Sequence, residues 1–305
     1  MDLTRRLRPT HLRLFQRIAE MGQLQTAADA LGMSQPAASR ILAEVEKQAG
    51  APLFFRTPKG MEPTAIGLAV VRHARVVLSE LDNLEKEVRN LRAGHAGEVR
   101  IGSVTGAAVG ILMPVIQQAR AASPDLDTTI EVGPSTELVR GLDEGRFDFI
   151  LSRLPTAQDS RDLLTHPART EIVRLIVRDS HPLAQRDTIS LAETRDFDWV
   201  MQERGSPIRD AVEHAFHLDS QPTPDRVINS SSMLVVLQLL ATSDAISPQS
   251  DEVAALLTGQ EFGARLIRLD IRAPMTVTPY FVVRHRSRQL SRAAQGIYEQ
   301  VLRRL

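Results

Sequence analysis

Two sets of side chains in this sequence are suited to recognition rather than to bond-making. The first is Gln35, Ser39 and Arg40, with Pro36 beside them. Their spacing puts them on one side of a helix. The glutamine amide and the arginine fork match base edges in a major groove, and the short serine hydroxyl reaches either a base or a phosphate. Arg56 and Lys59 flank a Thr57-Pro58 turn a little further on and suit the phosphate backbone. The second set is scattered: Ser103, Thr105 and Gly106, then Ser135 and Thr136, Arg153, Ser206, Ser231 and Pro248. Each lies at or just past a predicted strand. In open α/β sheets a ligand binds outside the carboxyl ends of the strands. Hydroxyls and outward N–H groups at helix starts, joined by a forked cation, make a site for a small polar or anionic ligand. Taken singly, each Ser or Thr is as well explained as a helix cap, and Arg153 as a partner of Asp148.

These residues need elements to hold them. Leu24–Gly50 is predicted to be a helix pair: Gln25–Leu31, a break at Gly32, and a second helix with Ser34 at its N-cap and Pro36 in its first turn. Ala38, Ile41, Leu42 and Val45 recur at helical spacing and form its core face, opposite Gln35, Ser39 and Arg40. A preceding helix, His11–Met21 capped by Thr10, offers Leu12, Phe15, Ile18 and Ala19 as support. Pro52–Pro63 is predicted to be a β-wing with Arg56 and Lys59 at its tip. From Thr64 to Arg92 the chain reads as one long helix. Val70, Val77, Leu84 and Leu91 are seven apart, with Leu81 and Val88 between them, which is a coiled-coil seam and predicts a dimer. Gly94–Gly97 is a joint. Beyond it, strands at Val99–Val104, Thr128–Val132 and Phe147–Ser152 alternate with helices, predicting a mostly parallel sheet covered on both faces. Ile172–Val177 opens a second lobe with later short strands (Trp199–Met201, Val227–Ile228, Ala245–Ser247, Leu266–Leu269). A strand over Val277–Val283 and the helix Leu290–Leu305 return to the first lobe. The expected division is 1–63 for the DNA-binding head, 64–93 for the linker helix and 97–305 for the ligand-binding domain. Its lobe I covers about 97–170 and 274–305, and its lobe II about 171–273.

Composition limits the function classes. The chain has 305 residues, no cysteine and zero formal net charge. Disulfides, thiol chemistry and cysteine-ligated metals are excluded. The charge is unevenly placed: nine Arg or Lys stand against five Asp or Glu in residues 1–60, so a basic head precedes an acidic body. No apolar run is long enough for a membrane span, and no signal core stands at the N-terminus, so a cytoplasmic protein is expected. There is no GxGxxG, P-loop or GxSxG; Gly102-Ser103-x-x-Gly106 has the wrong spacing for a nucleophile elbow. Glu213, His214 and His217 make at most half a metal site. No catalysis, metal or cofactor is expected.

Ala27-Ala28 through Glu46, which opens A-A-x-x-L-x-x-S-Q-P-A-x-S, resembles the winged helix-turn-helix of LysR-type transcriptional regulators, and the match runs on through Leu53-Phe54-Phe55-Arg56 to Pro63-Thr64-x-x-Gly67. The resemblance implies an all-α winged helix-turn-helix head, a long dimerising linker helix and a two-lobed α/β domain of the periplasmic-binding-protein type. Arg178-x-x-His181-Pro182-Leu183 looks like the lobe-crossing segment of such domains. Thr105, Gly106, Ser135 and Arg153 align with effector-contacting positions in regulators of aromatic catabolism. The Gly205-Ser206-Pro207 and Asn229–Ser232 stretches resemble a branch that includes regulators of sugar uptake and of protocatechuate breakdown. The expected function is sequence-specific control of transcription by a small polar effector, a catabolic carboxylate or a sugar. The expected partners are promoter DNA, the effector, further copies in a homodimer or homotetramer, and RNA polymerase. The alternative is a solute-binding, transport-associated protein with a fused helical head.

Overall fold

The computed structural model describes residues 7–58, 60–93, 97–154, 162–260, 263, 265–272 and 274–305. The chain forms two compact units. One comprises the first 98 residues with Arg140–Phe147, and the other Val99–Val139 with Asp148–Leu305.

The first unit opens with α1 (Pro9–Met21), α2 (Leu24–Ala30) and α3 (Gln35–Ala49). Helix α1 starts two residues earlier than expected. Pro9 occupies its first position, where a missing N–H costs nothing, so Arg8 and not Thr10 stands at the N-cap. Gly32 turns the chain between α2 and α3 at φ +65°. Leu14, Phe15 and Ile18 of α1 pack against Leu24, Ala27 and Ala28 of α2 and against Ala38, Leu42 and Val45 of α3. The hairpin β1 (Phe54–Thr57) and β2 (Gly60–Pro63) closes this core with Leu53 and Phe54. Helix α4 (Ala65–Ala93) follows. Its Val71, Ala74 and Leu78 are buried, the last two against Leu12 of α1. Its seam residues Val77, Leu84 and Val88 are 45, 56 and 46% exposed in the single chain. The side chain of Leu91 lies outside the described ones.

The second unit holds two lobes. Lobe I is built on a five-stranded sheet of order β4-β3-β5-β13-β6, from β3 (Glu98–Ser103), β4 (Asp127–Val132), β5 (Phe149–Ser152), β6 (Leu163–Pro167) and β13 (Phe281–His285). Strands β3 and β5 are parallel, but β13 runs antiparallel to both β5 and β6. The sheet is mixed rather than mostly parallel, because the strand returning from lobe II inserts in the reverse sense. After β3 come α5 (Thr105–Ala107), a π-helical turn (Ala108–Leu112) and α6 (Met113–Ala122); α7 (Ser135–Asp143) follows β4. Lobe II centres on β7 (Glu171–Arg178), which pairs antiparallel with β10 (Ser247–Ser250), β11 (Leu266–Leu269) and β12 (Met275–Val277). A parallel pair, β8 (Trp199–Met201) and β9 (Val227–Asn229), completes it. Helices α8 (Pro207–Leu218), α9 (Met233–Thr242) and α10 (Asp251–Thr258) belong to lobe II, and α11 (Arg292–Leu302) follows β13. Trp199, Phe216, Leu175 and Ile246 fill the lobe II core.

The single strand expected over Val277–Val283 is two strands, β12 and β13, broken at Thr278-Pro279-Tyr280. Pro279 has no N–H to give a ladder. This break is one lobe crossing, and Ala168–Thr170, between β6 and β7, is the other. The two run side by side: Ala168 N–H donates to Tyr280 O at 3.0 Å and Tyr280 N–H to Arg169 O at 3.3 Å. The Arg178…Leu183 stretch is not a crossing. It ends β7 within lobe II, where Arg178 pairs with Asp244 at 3.0 Å and His181 is held by Asp244 and Leu183. Among the described residues, no helix is long and apolar enough to cross a membrane.

Candidate functional site

Helix α3 turns Ala38, Leu42 and Val45 inward and leaves Gln35, Pro36 and Arg40 exposed, with Ser39 half-buried on the same side. Ser34 stands at the N-cap, but its side chain makes no capping bond. The wing is fixed to this helix by a residue that spacing alone did not single out. Glu46 Oε1 accepts from Leu53 N at 2.8 Å and from Phe54 N at 3.4 Å. The Pro63-Thr64-x-x-Gly67 motif has a physical cause as well. Thr64 Oγ1 donates to Pro52 O at 2.8 Å and accepts from Gly67 N at 2.9 Å. Any Cβ at Gly67 would collide with Leu53 O. The start of α4 therefore lies against the wing base at backbone distance. Hairpin register pairs Thr57 with Gly60 and places exposed Arg56 next to the tip. Lys59 lies outside the described residues.

Where the lobes meet, Arg153 follows β5. Its N–H donates to Ser135 Oγ at 3.2 Å, and its Nε donates to the crossing carbonyl Thr278 O at 2.9 Å. Its Nη2 forms an ion pair with the Glu171 carboxylate at the start of β7. The two side chains are 12 and 4% exposed. Asp148, the partner first weighed for Arg153, instead accepts from Arg100 N at 2.7 Å. Burial pulls the guanidinium below its ordinary range, with Tyr280 acting in the opposite sense. Gly106 fits beneath this pair: a Cβ there would strike the Glu171 carboxylate and lie 2.7 Å from Ser250 Oγ. Two further polar atoms are buried here without a hydrogen-bond partner, Glu252 Oε2 in the first turn of α10 and Tyr280 Oη on the crossing. Tyr280 is fully buried. Burial and the nearby Glu252 charge push its phenol up to about 12, against the opposing pull of Arg169 and Arg153. It therefore keeps its proton at neutral pH and can donate.

The structure brings together Gly106, Ser135 and Arg153, around a glutamate that the strand-end rule missed. Thr105 and Thr136 are exposed beside them. Ser103 is fully buried, its Oγ donating to Val104 O at 3.0 Å. Pro248 is buried within β10 opposite Leu175. Ser206 and exposed Ser231 belong to a different group, at the ends of β8 and β9. There the buried Arg209 donates to Glu213 Oε1 at 2.7 Å, Gln202 O at 3.2 Å and Asn229 Oδ1 at 2.6 Å. This engages Glu213, the carboxylate beside His214 and His217, and no cluster of three metal-ligating side chains occurs among the described residues. The signal that could have found Glu171 was present in the sequence, as an acid heading the apolar run Glu171-Ile172-Val173-Arg174-Leu175-Ile176-Val177.

Residues 9–68 match the family model for the bacterial regulatory helix-turn-helix protein, lysR family, and residues 92–305 match the LysR substrate binding domain. The chain belongs to the LysR family of bacterial transcriptional regulators. HTH-type transcriptional regulator GbpR of Rhizobium radiobacter is 35% identical over 83% of this chain and 84% of its own length. GbpR of Azospirillum brasilense is 36% identical over 80% of this chain and 72% of its own. Among solved structures, the LysR family regulator CbnR superposes with TM-score 0.65 at 22% identity, covering 97% of this chain and 99% of the other, and so shares the fold. CbnR has also been solved with its target DNA, with the same score. As a LysR-family protein the chain is a DNA-binding transcriptional regulator with an effector-binding domain. The transport-associated alternative finds no support among these relatives.

Proposed function

We propose that this regulator reads its operator through Gln35, Pro36, Ser39 and Arg40 of α3, with Arg56 and Lys59 gripping phosphates from the wing. A small polar effector, seated between lobes I and II near Thr105, Gly106, Ser135, Thr136 and Arg153, controls that reading. Residues 1–63 form the DNA-binding head, 64–93 the dimerising helix and 97–305 the effector domain. The chain acts as a dimer or a dimer of dimers, because one short reading helix needs a two-fold mate to cover two half-sites. An effector acts only through its preference for one cleft state over another.

The observation that carries this reading is the solvent-facing Gln35–Arg40 surface on a helix whose opposite side is core. A gel-shift titration with DNA flanking the gene tests it. Wild type should give a sequence-specific complex. Arg40→Ala should lose about ten- to a hundredfold in specific over non-specific affinity, the worth of one good base contact at roughly 1–3 kcal/mol. Absence of a specific complex with wild type would remove the DNA-reading assignment.

A further inference from the structure

We propose that the effector is an electrically neutral, polyhydroxylated molecule held by Tyr280, Glu252 and the Arg153–Glu171 pair, and not a carboxylate. This rests on the effector-cleft reading above. A carboxylate would need Arg153, the forked cation among the strand-end residues. That guanidinium is already committed, to the Glu171 carboxylate through Nη2 and to Thr278 O through Nε. Displacing Glu171 would strand a buried anion, which is strongly unfavourable. Glu252 adds a second carboxylate, and Arg169 stands with Arg153 as the opposing cations, so the charges around Tyr280 balance. An incoming anion finds no net positive charge to draw it in.

A hydroxyl group faces no such penalty. It donates to a carboxylate and accepts from a phenol or guanidinium at the same time. Two atoms buried there without hydrogen-bond partners supply one of each role, beside Arg153 Nη2, which has only its ion pair: Tyr280 Oη is a donor that stays protonated, and Glu252 Oε2 is an acceptor. Buried groups of this kind are seldom left unpaired. They lie within electrostatic reach of each other, one on a lobe crossing and the other in the first turn of α10. Gly106 keeps the floor free of a side chain beside Glu171 and Ser250. A compact molecule carrying several hydroxyls meets each of these demands, and a planar aromatic acid meets few.

Calorimetric titration of the full chain with matched pairs tests this: glucose and gluconate, galactose and galactonate, xylose and xylonate, arabinose and arabinonate, with mannitol, succinate and protocatechuate added. At least one neutral polyol should bind, and its acid at least about tenfold more weakly. Tyr280→Phe keeps the ring and removes only the hydroxyl, and should weaken that polyol about tenfold, as loss of one buried hydrogen bond does. Glu252→Gln should weaken the polyol and strengthen its acid. Preferred binding of any carboxylate overturns the neutral-effector inference and leaves the cleft reading standing. Polyol binding untouched by both substitutions overturns the residue assignment. Failure of every probe counts against the cleft reading itself.

Discussion

His181 shows how one side chain can set a dependence on pH. It is 2% exposed and stacked on Phe197, with ring centroids 4.5 Å apart. Nδ1 accepts from Leu183 N at 3.0 Å, so in the neutral ring Nε2 carries the proton and faces Asp244 O at 3.2 Å. Burial lowers its pKa below the ordinary 6.5, the pull of Asp244 opposing and Arg178 assisting. The folded state thus binds a proton less readily than the unfolded chain. Stability from this group is complete above pH 6.5 and declines as pH falls below it, by at most about 1.4 kcal/mol per pH unit for one proton. The thermal midpoint should drop between pH 7 and pH 5 more steeply in wild type than in His181→Gln; equal slopes would remove His181 as the cause. At this scale, sequence gave Arg153 its place but not its partner. Strand-end rules find small and cationic residues and are blind to an acid folded in from the other lobe. Glu171, Glu252 and Tyr280 are far apart in the chain: Tyr280 arrives on a lobe crossing, and Glu252 comes beside Glu171 through the pairing of β10 with β7.

Among the elements, the most legible was α4. Its seven-residue spacing survives in the structure as two separate stripes. Val71, Ala74 and Leu78 serve the head, whereas Val77, Leu84 and Val88 stay bare. A helix with an uncovered apolar stripe at that spacing needs a mate. Leu84→Glu, placing a charge in the middle of the stripe, should shift the protein from dimer to monomer at micromolar concentration. Sedimentation velocity would show it, and an unchanged mass would sink the seam as the dimer contact. The least legible elements were β6 and the pair β12 and β13. Strand β6, Leu163–Pro167, is mostly exposed at a sheet edge, so neither alternation nor an apolar run marks it. The apolar pattern of Val277–Val283 merged two strands, although Pro279 within it was a visible warning. The reading head was legible nearly whole. Its helices meet locally, and its turn, proline and core spacing all lie within about forty consecutive residues.

For the whole molecule, the family and the two-lobed plan were legible because βα alternation and the head's motif are both local in sequence. The sense of the sheets was not, since strand direction depends on where a returning strand inserts. That insertion governs how the protein comes into being. Strand β13 sits between β5 and β6, so the lobe I sheet lacks an interior member until residues 281–285 have been synthesised. The head and nearly all of lobe II precede it on the ribosome. The head can therefore reach DNA-binding form on a nascent chain while the sensing domain is still open. A chain ended at Val277 should keep the helical head yet lose cooperative unfolding of the sensing domain, as circular dichroism melts would report. A cooperative second transition in that truncation would contradict the order. A nonsense codon or ribosome stall late in the gene would then release a reader without its control. Residues 278–305 thus safeguard obedience to the effector, although they lie far along the chain from the DNA-reading helix.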